Sequence, residues 1–213
     1  MFNDKVNLIK ESCVETYEEA VHAASRGADR IELCSRLDLD GLTPSKKLVK
    51  KLVSDLAIPV KVMVRPREGD FCYTNEEINQ MHRDIQDFKS LGVFGVVFGA
   101  LGDDKTVDIS VVNDLVSKSN GMDTTFHKAI DETNDLLDAY KSLLFHTKIN
   151  SVLTSGGARS AILGYKKLRK MLNIKSDRIR IIIAGSITHE NLPEVHSLIG
   201  GVEYHGRRII DIS

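Results

Sequence analysis

The chain has 213 residues, with 29 Lys and Arg against 30 Asp and Glu, a formal net charge of −1, three Cys and no Trp. That length fits one domain with a core deep enough to need no disulfide staples, and the even charge balance excludes a dedicated nucleic-acid or membrane-surface binder. No apolar run approaches the roughly 20 residues that span a bilayer, so no membrane partner is expected.

In chain order, Met1-Phe2-Asn3-Asp4-Lys5 comes first and lacks both the basic region and the apolar run of an export signal. Cys13, Cys34 and Cys72, odd in number and widely spaced, then read as free thiols of a reducing cytoplasm. The first β-branched run is Val6–Glu11. Tyr17, Ala20, Val21 and Ala24 follow at the spacing of one helix face, and Gly27 can end that helix by adopting positive φ. Arg30–Cys34 is the second run. Leu48, Leu52 and Leu56 mark the next helix, with Lys46, Lys47, Lys50 and Lys51 around it. Pro59–Val64 is the third run. Thr74-Asn75-Glu76-Glu77 then forms a capping box, in which the Thr oxygen and the Glu carboxylate each satisfy a free backbone N–H. Ile78, Met81, Ile85 and Phe88 carry that helix's apolar stripe towards Gly92. The remaining runs are Phe94–Phe98, Asp123–His127, Asn150–Leu153, Arg180–Ala184 and Val202–His205. Helices are predicted between them at Ile109–Ser117, Leu136–Leu144, Ala161–Leu172 and His189–Ile199, the last closing at Gly200.

The eight runs start about 28 residues apart on average, room for one strand, one helix and two short loops per unit. Strict alternation predicts an α/β fold with a parallel sheet inside and helices outside. Eight even units with no long crossover predict closure into a (β/α)8 TIM barrel rather than an open doubly wound sheet. Ser213 follows the eighth run by only a few residues. The final helix is therefore expected to be missing or truncated, with something else, such as a subunit contact, covering its place. No linker or composition break divides residues 1–213, which read as a single TIM-barrel domain.

Barrel chemistry gathers at the C-terminal strand ends. There the sequence places Glu11 and Cys13, then Glu32 and Cys34 on one side of the second strand by its period of two. Arg65 follows the third strand, His127 and Lys128 the fifth, Ser155-Gly156-Gly157 the sixth and Gly185-Ser186 the seventh; Glu203 and His205 belong to the eighth. Buried charges are costly unless paired, so this convergence predicts a ligand or catalytic pocket.

Longer blocks carry a family resemblance. Gly27-Ala28-Asp29-Arg30-Ile31-Glu32-Leu33-Cys34, then Gly41-Leu42-Thr43-Pro44-Ser45, resemble the signature of the CutC family. So do Ile58-Pro59-Val60, Arg65-Pro66-Arg67-Glu68-Gly69-Asp70-Phe71-Cys72-Tyr73, Val97-Phe98-Gly99-Ala100-Leu101, Thr125-Phe126-His127-Lys128-Ala129, Val152-Leu153-Thr154-Ser155-Gly156 and Glu203-Tyr204-His205. The resemblance implies a cytoplasmic (β/α)8 barrel linked to copper homeostasis, present as a homodimer or higher homo-oligomer. Two stretches depart from the family pattern. Leu39-Asp40 stands where an acidic residue and Gly are usual, a change Asp tolerates because it accepts positive φ. Gly206-Arg207-Arg208 stands where small residues are usual.

Cu(I) prefers soft thiolate and thioether ligands. Cys13 and Cys34, at matching heights on neighbouring strands, are the expected Cu(I) ligands near the barrel mouth, with Met63 a further thioether. Cys72 is expected to be a packed loop thiol. A mixed zinc site drawing on His127 and His205 with Glu11, Glu32 or Glu203 has no HExxH spacing behind it. His22, His82, His146, His189 and His196 read as solvated. The alternative is a metal-independent enzyme acting on a small anionic, phosphorylated or sugar-like ligand. Glu11, Glu32, His127 and Glu203 would then serve as acid–base groups and Arg65 as the anion clamp, with Gly185 and Ser186 contacting the anion at a helix start. No nucleophile triad, Schiff-base Lys motif or Walker loop accompanies them, and Lys61 and Lys128 are the lysines nearest the mouth.

Overall fold

The computed structural model describes residues 7–174, 176 and 178–211; Val6, the Met1–Lys5 segment and Ser213 lie outside the described residues. Eight parallel strands close on themselves in sequence order. They are β1 (Ile9–Val14), β2 (Arg30–Leu33), β3 (Val60–Met63), β4 (Gly95–Phe98), β5 (Asp123–Phe126), β6 (Ser151–Thr154), β7 (Arg180–Ile183) and β8 (Glu203–Gly206). Among the described residues seven α-helices alternate with them: α1 (Tyr17–Ser25), α2 (Lys46–Asp55), α3 (Asn75–Ser90), α4 (Ile109–Lys118), α5 (Leu136–His146), α6 (Ala161–Leu172) and α7 (Leu192–Ile199). This is the TIM barrel that the periodicity predicts. None of these helices is long and apolar enough to cross a membrane.

Local chemistry sets the boundaries. Thr74 caps α3 through the reciprocal box with Glu77. The seventh helix starts later than His189, because Thr188 and Asn191 exchange backbone and side-chain hydrogen bonds across a turn ahead of Leu192. After β8 no helix follows among the described residues. Instead the His189 N–H donates to the Arg208 carbonyl at 2.8 Å, and Ile209 and Ile210 are buried in the chain's own core. These residues pack onto the barrel wall after β8, for which a subunit contact was one candidate cover.

Strand alternation divides the barrel into two chemistries. Outward residues such as Ile31, Leu33, Val62, Val96, Val152 and Ile183 pack beneath the helices in one large apolar cluster. Inward residues are largely polar at the N-terminal end. Lys61 is fully buried, with Nζ 2.7 Å from Thr125 Oγ1 and 2.7 Å from Asp123 Oδ1. Arg30 bridges Glu11 and Glu203, the latter at 2.7 Å, and Arg180 bridges Asp123 at 2.5 Å and Glu203 at 3.3 Å. One layer higher the lining turns soft: Cys13, Cys34, Met63 and Val97 form a separate small cluster.

Candidate functional site

The strand register assembles the site. Cys13 pairs across to Glu32, and Glu11 lies between Arg30 on one side and His205 on the other. With a side-chain period of two, Glu11 and Cys13, Glu32 and Cys34, and His205 all point inward within one sector of the barrel. Cys34 follows β2, and its N–H donates to the Val14 carbonyl at 3.0 Å, so the ladder fixes its backbone. The loop beyond it turns through Asp40 at φ 62° and Gly41 at φ 87°. Asp40 thus adopts the positive φ anticipated for it. A Cβ on Gly41 would lie 3.2 Å from Cys34 Sγ, so glycine is needed there for both conformation and space.

The two buried sulfurs are 4.0 Å apart and unbonded. The Cys34 thiol donates to Glu32 Oε1 at 3.4 Å, while Glu32 Oε2 is buried with no hydrogen-bond partner. His205 Nδ1 is 2.8 Å from Glu11 Oε1 and 3.7 Å from Glu32 Oε2. Ligand atoms of Cys13, Glu32 and His205 all lie within 4.8 Å of one another. These side chains line a cleft of about 500 Å³, together with Met63, Arg65, Phe71 and His127. A larger hollow of about 1070 Å³, lined by Asn120, Thr147, Asn150 and Arg178 among others, opens at the opposite end of the barrel and holds no such donor cluster.

Proton affinities in the cluster are strongly displaced. The Cys34 thiol beside Cys13 favours the Cys13 thiolate, and His205 adds to this, so Cys13 falls to about 6 despite its burial. The same sulfur contact, with burial, pushes Cys34 well above the usual thiol range. Burial pushes Glu32 up to about 8 against the pull of His205. For Glu11 burial acts upward as well, but the His205 hydrogen bond and the Lys61 and Arg30 charges outweigh it and hold it well below the usual carboxylate range. Burial opposes charge on His205, yet Glu32, Cys13 and Glu11 around it raise its affinity well above the ordinary imidazole value. These contacts pull the Cys13 thiol down and push Glu32, Cys34 and His205 up.

The other residues singled out from sequence lie apart from this cluster. Glu203 opens β8, opposite Ile9, and is salt-bridged to Arg30 and Arg180 in the layer below the cleft. Arg65 lines the cleft, but its guanidinium donates to the carbonyls of Leu39, Gly41 and Gly69 and stacks over Phe71. His127 lies across the cleft against Phe71, accepting the Ala129 N–H at Nδ1, with Nε2 buried and unpartnered. Gly185 packs against Ser155 and Ala161, Ser186 is exposed, and neither lines the cleft. His82 contacts Asp114 at 2.8 Å and His196 contacts the Tyr204 hydroxyl at 2.8 Å, so neither is simply solvated.

Sequence reasoning gave no role to two residues that shape the site. Arg30 clamps Glu11 and Glu203; its place at a strand start opposite two acids was the available signal. Asp131 accepts from the Thr154 and Ser155 hydroxyls and from the Ser155 and Gly157 N–H groups. It fills the glycine-rich turn after β6 with the protein's own carboxylate. No spacing in the sequence marks it.

Residues 8–210 match the CutC family. The chain is 39% identical over 197 residues to a Homo sapiens protein named copper homeostasis protein cutC homolog, covering 92% of this chain and 72% of that one. It is 38% identical over 202 residues to a family protein CutC of Mesorhizobium japonicum, covering 95% and 78% of the two chains. Among solved structures, a CutC protein from Streptococcus agalactiae superposes with a TM-score of 0.88 at 27% identity, over 95% of this chain and 99% of that one. Phosphoribosyl anthranilate isomerase from Thermococcus kodakaraensis, at TM-score 0.60 and 16% identity over 93% and 87%, shares the fold alone. Matched from β1 to the segment beyond β8, the chain belongs to the CutC family.

Proposed function

We propose that this protein serves copper homeostasis by holding Cu(I) on Cys13 and Cys34 near the barrel mouth. The observation that carries this reading is the pair of buried, unbonded sulfurs 4.0 Å apart. Two thiolate bonds of roughly 2.3 Å span that gap, and Cu(I) favours such soft donors. Met63 adds a thioether to the same cluster. Relatives from Homo sapiens and Mus musculus carry the name copper homeostasis protein cutC homolog. The cleft wall also suits a cation: Asp38, Asp40, Glu68, Asp131 and Glu132 line it against Arg65 and Lys128. Unbonded neighbouring thiols fit a reducing cytoplasm. The homo-oligomer belongs to the same proposal, and Phe145 and Leu163, 73% and 69% exposed, offer apolar surface for such a contact.

The anionic-substrate alternative, with Glu11, Glu32, Arg65, His127 and Glu203 as its machinery, has one observation in favour. A cleft of about 500 Å³ is larger than an ion needs. It has less support overall, because Nη1 and Nη2 of Arg65 donate to carbonyls, leaving only its buried Nε without a partner, and Asp131 occupies the N–H groups of the Gly156 turn. Equilibrium competition against a chromophoric Cu(I) chelator tests the copper reading. Wild type is expected to withdraw copper from the chelator. The Cys13→Ser, Cys34→Ser double variant is expected to lose on the order of 100-fold or more in affinity, because its soft donor pair is gone. Equal affinity of the two proteins would remove the reading.

A further inference from the structure

A carboxylate and an imidazole face the thiol pair, and Cu(I) takes the softer sulfurs first. Of the carboxylates inside the barrel among the described residues, Glu11, Asp123 and Glu203 each contact Arg or Lys, whereas Glu32 contacts neither. Its Oε2 is buried without a hydrogen bond. A buried carboxylate is costly unless it is paired or binds a metal. His205 has the complementary arrangement. Glu11 holds Nδ1 at 2.8 Å, Arg30 holds Glu11 in turn, and the ring also hydrogen-bonds the Cys13 sulfur, one of the proposed ligands. A carboxylate on the far nitrogen is how metal-binding imidazoles are commonly oriented.

We propose that Cys13, Cys34, Glu32 and His205 form a four-donor cage for Zn2+, sharing its two sulfurs with the copper site. A tetrahedral zinc ion with bonds of roughly 2.3 Å to sulfur and 2.0–2.2 Å to nitrogen or oxygen sets its donors roughly 3.3–3.8 Å apart. Here the sulfurs are 4.0 Å apart, Cys34 Sγ is 3.4 Å from Glu32 Oε1, and the Cys13, Glu32 and His205 donors lie within 4.8 Å of each other. Cys34 stands outside that three-donor group, so closing a four-donor cage requires its side chain to turn inward. Zinc accepts sulfur, nitrogen and oxygen together, whereas Cu(I) selects the sulfurs. Four protein donors leave no open position for substrate, so the ion is held rather than used in catalysis. Cu(I) and Zn2+ then compete for one pair of thiolates. The inference rests on the reading of Cys13 and Cys34 as ligands and extends it to a divalent ion.

Purified full-length protein, stripped of metal, is titrated with Co2+ as an optical probe and with Zn2+ against a chromophoric chelator; Cu(I) affinity is read on the same samples. Wild type is expected to show thiolate-to-cobalt charge transfer and tetrahedral visible bands that Zn2+ abolishes. Glu32→Gln and His205→Gln are expected to weaken Zn2+ by at least about 10-fold, while Glu32→Gln changes Cu(I) affinity by less than about threefold, since Cu(I) does not use the carboxylate. An octahedral cobalt spectrum without charge transfer in wild type would overturn the cage without recourse to any variant. So would Zn2+ affinities unchanged in both variants. If zinc binds as expected and Cu(I) does not, the copper reading falls and the cage stands; intact Cu(I) binding with unchanged zinc affinities has the opposite meaning.

Discussion

His127 shows how burial fixes the state of a single residue. Its Nδ1 accepts the Ala129 N–H, so the neutral ring carries its proton on Nε2. Burial, with the Arg65 charge nearby, lowers its pKa from 6.5 to about 3. The unfolded chain therefore binds more protons than the folded one between those values. The stability this provides is complete above pH 6.5 and is lost as pH falls towards 3, at up to about 1.4 kcal/mol per pH unit. In urea denaturation across that range, the stability difference between wild type and His127→Gln is expected to shift steadily against wild type as pH drops. A difference independent of pH would show that the ring is not held neutral. At this scale the sequence was partly legible. The period of two on β2 placed Glu32 and Cys34 together, and the matching strand end placed Cys13. Glu203 was harder to place, because only the pairing of β8 with β1 puts it opposite Ile9 and so below the cleft.

At the scale of elements, the cleft wall consists of loops that have to be tied down. Arg65 ties the loop after β2 to the loop after β3, through Leu39 at 2.9 Å, Gly41 at 3.3 Å and Gly69 at 3.1 Å. Hydrogen bonds from a charged group are worth about 1.5–3 kcal/mol each, so Arg65→Met is expected to destabilise the protein by about 2–4 kcal/mol in equilibrium unfolding. An unchanged midpoint would mean that the guanidinium is held for a ligand instead. Strands and helices were legible because inside and outside chemistry alternate so regularly, as in Arg30-Ile31-Glu32-Leu33 and Val60-Lys61-Val62-Met63. Boundaries were less so. β1 runs to Val14 rather than stopping at Glu11, because Glu11, Ser12 and Cys13 continue the ladder into the interior. The start of α7 depends on a side-chain turn at Thr188 that has no periodicity to reveal it.

Across the whole molecule, barrel closure is what makes the site. Eight strands in sequence order bring β8 beside β1, and so bring His205 to Glu11 across 194 residues of chain. The resulting interior is stratified, with an ion-paired floor of Lys61, Asp123, Arg30, Glu203 and Arg180 below and a soft layer of Cys13, Cys34 and Met63 above it. Within the buried part of that floor, removing one member of a pair such as Arg30–Glu203 costs about 3–5 kcal/mol. Ring closure was legible from the count and spacing of the eight runs. The packing of Ile209 and Ile210 after β8 was not, since two adjacent isoleucines carry no pattern. X-ray absorption at the copper edge, on protein loaded with one equivalent of Cu(I), tests the thiol pair most directly. The expected first shell contains two sulfur scatterers at roughly 2.3 Å, which disappear in the Cys13→Ser, Cys34→Ser variant. A shell of nitrogen and oxygen alone, or the same sulfur shell in that variant, would contradict it.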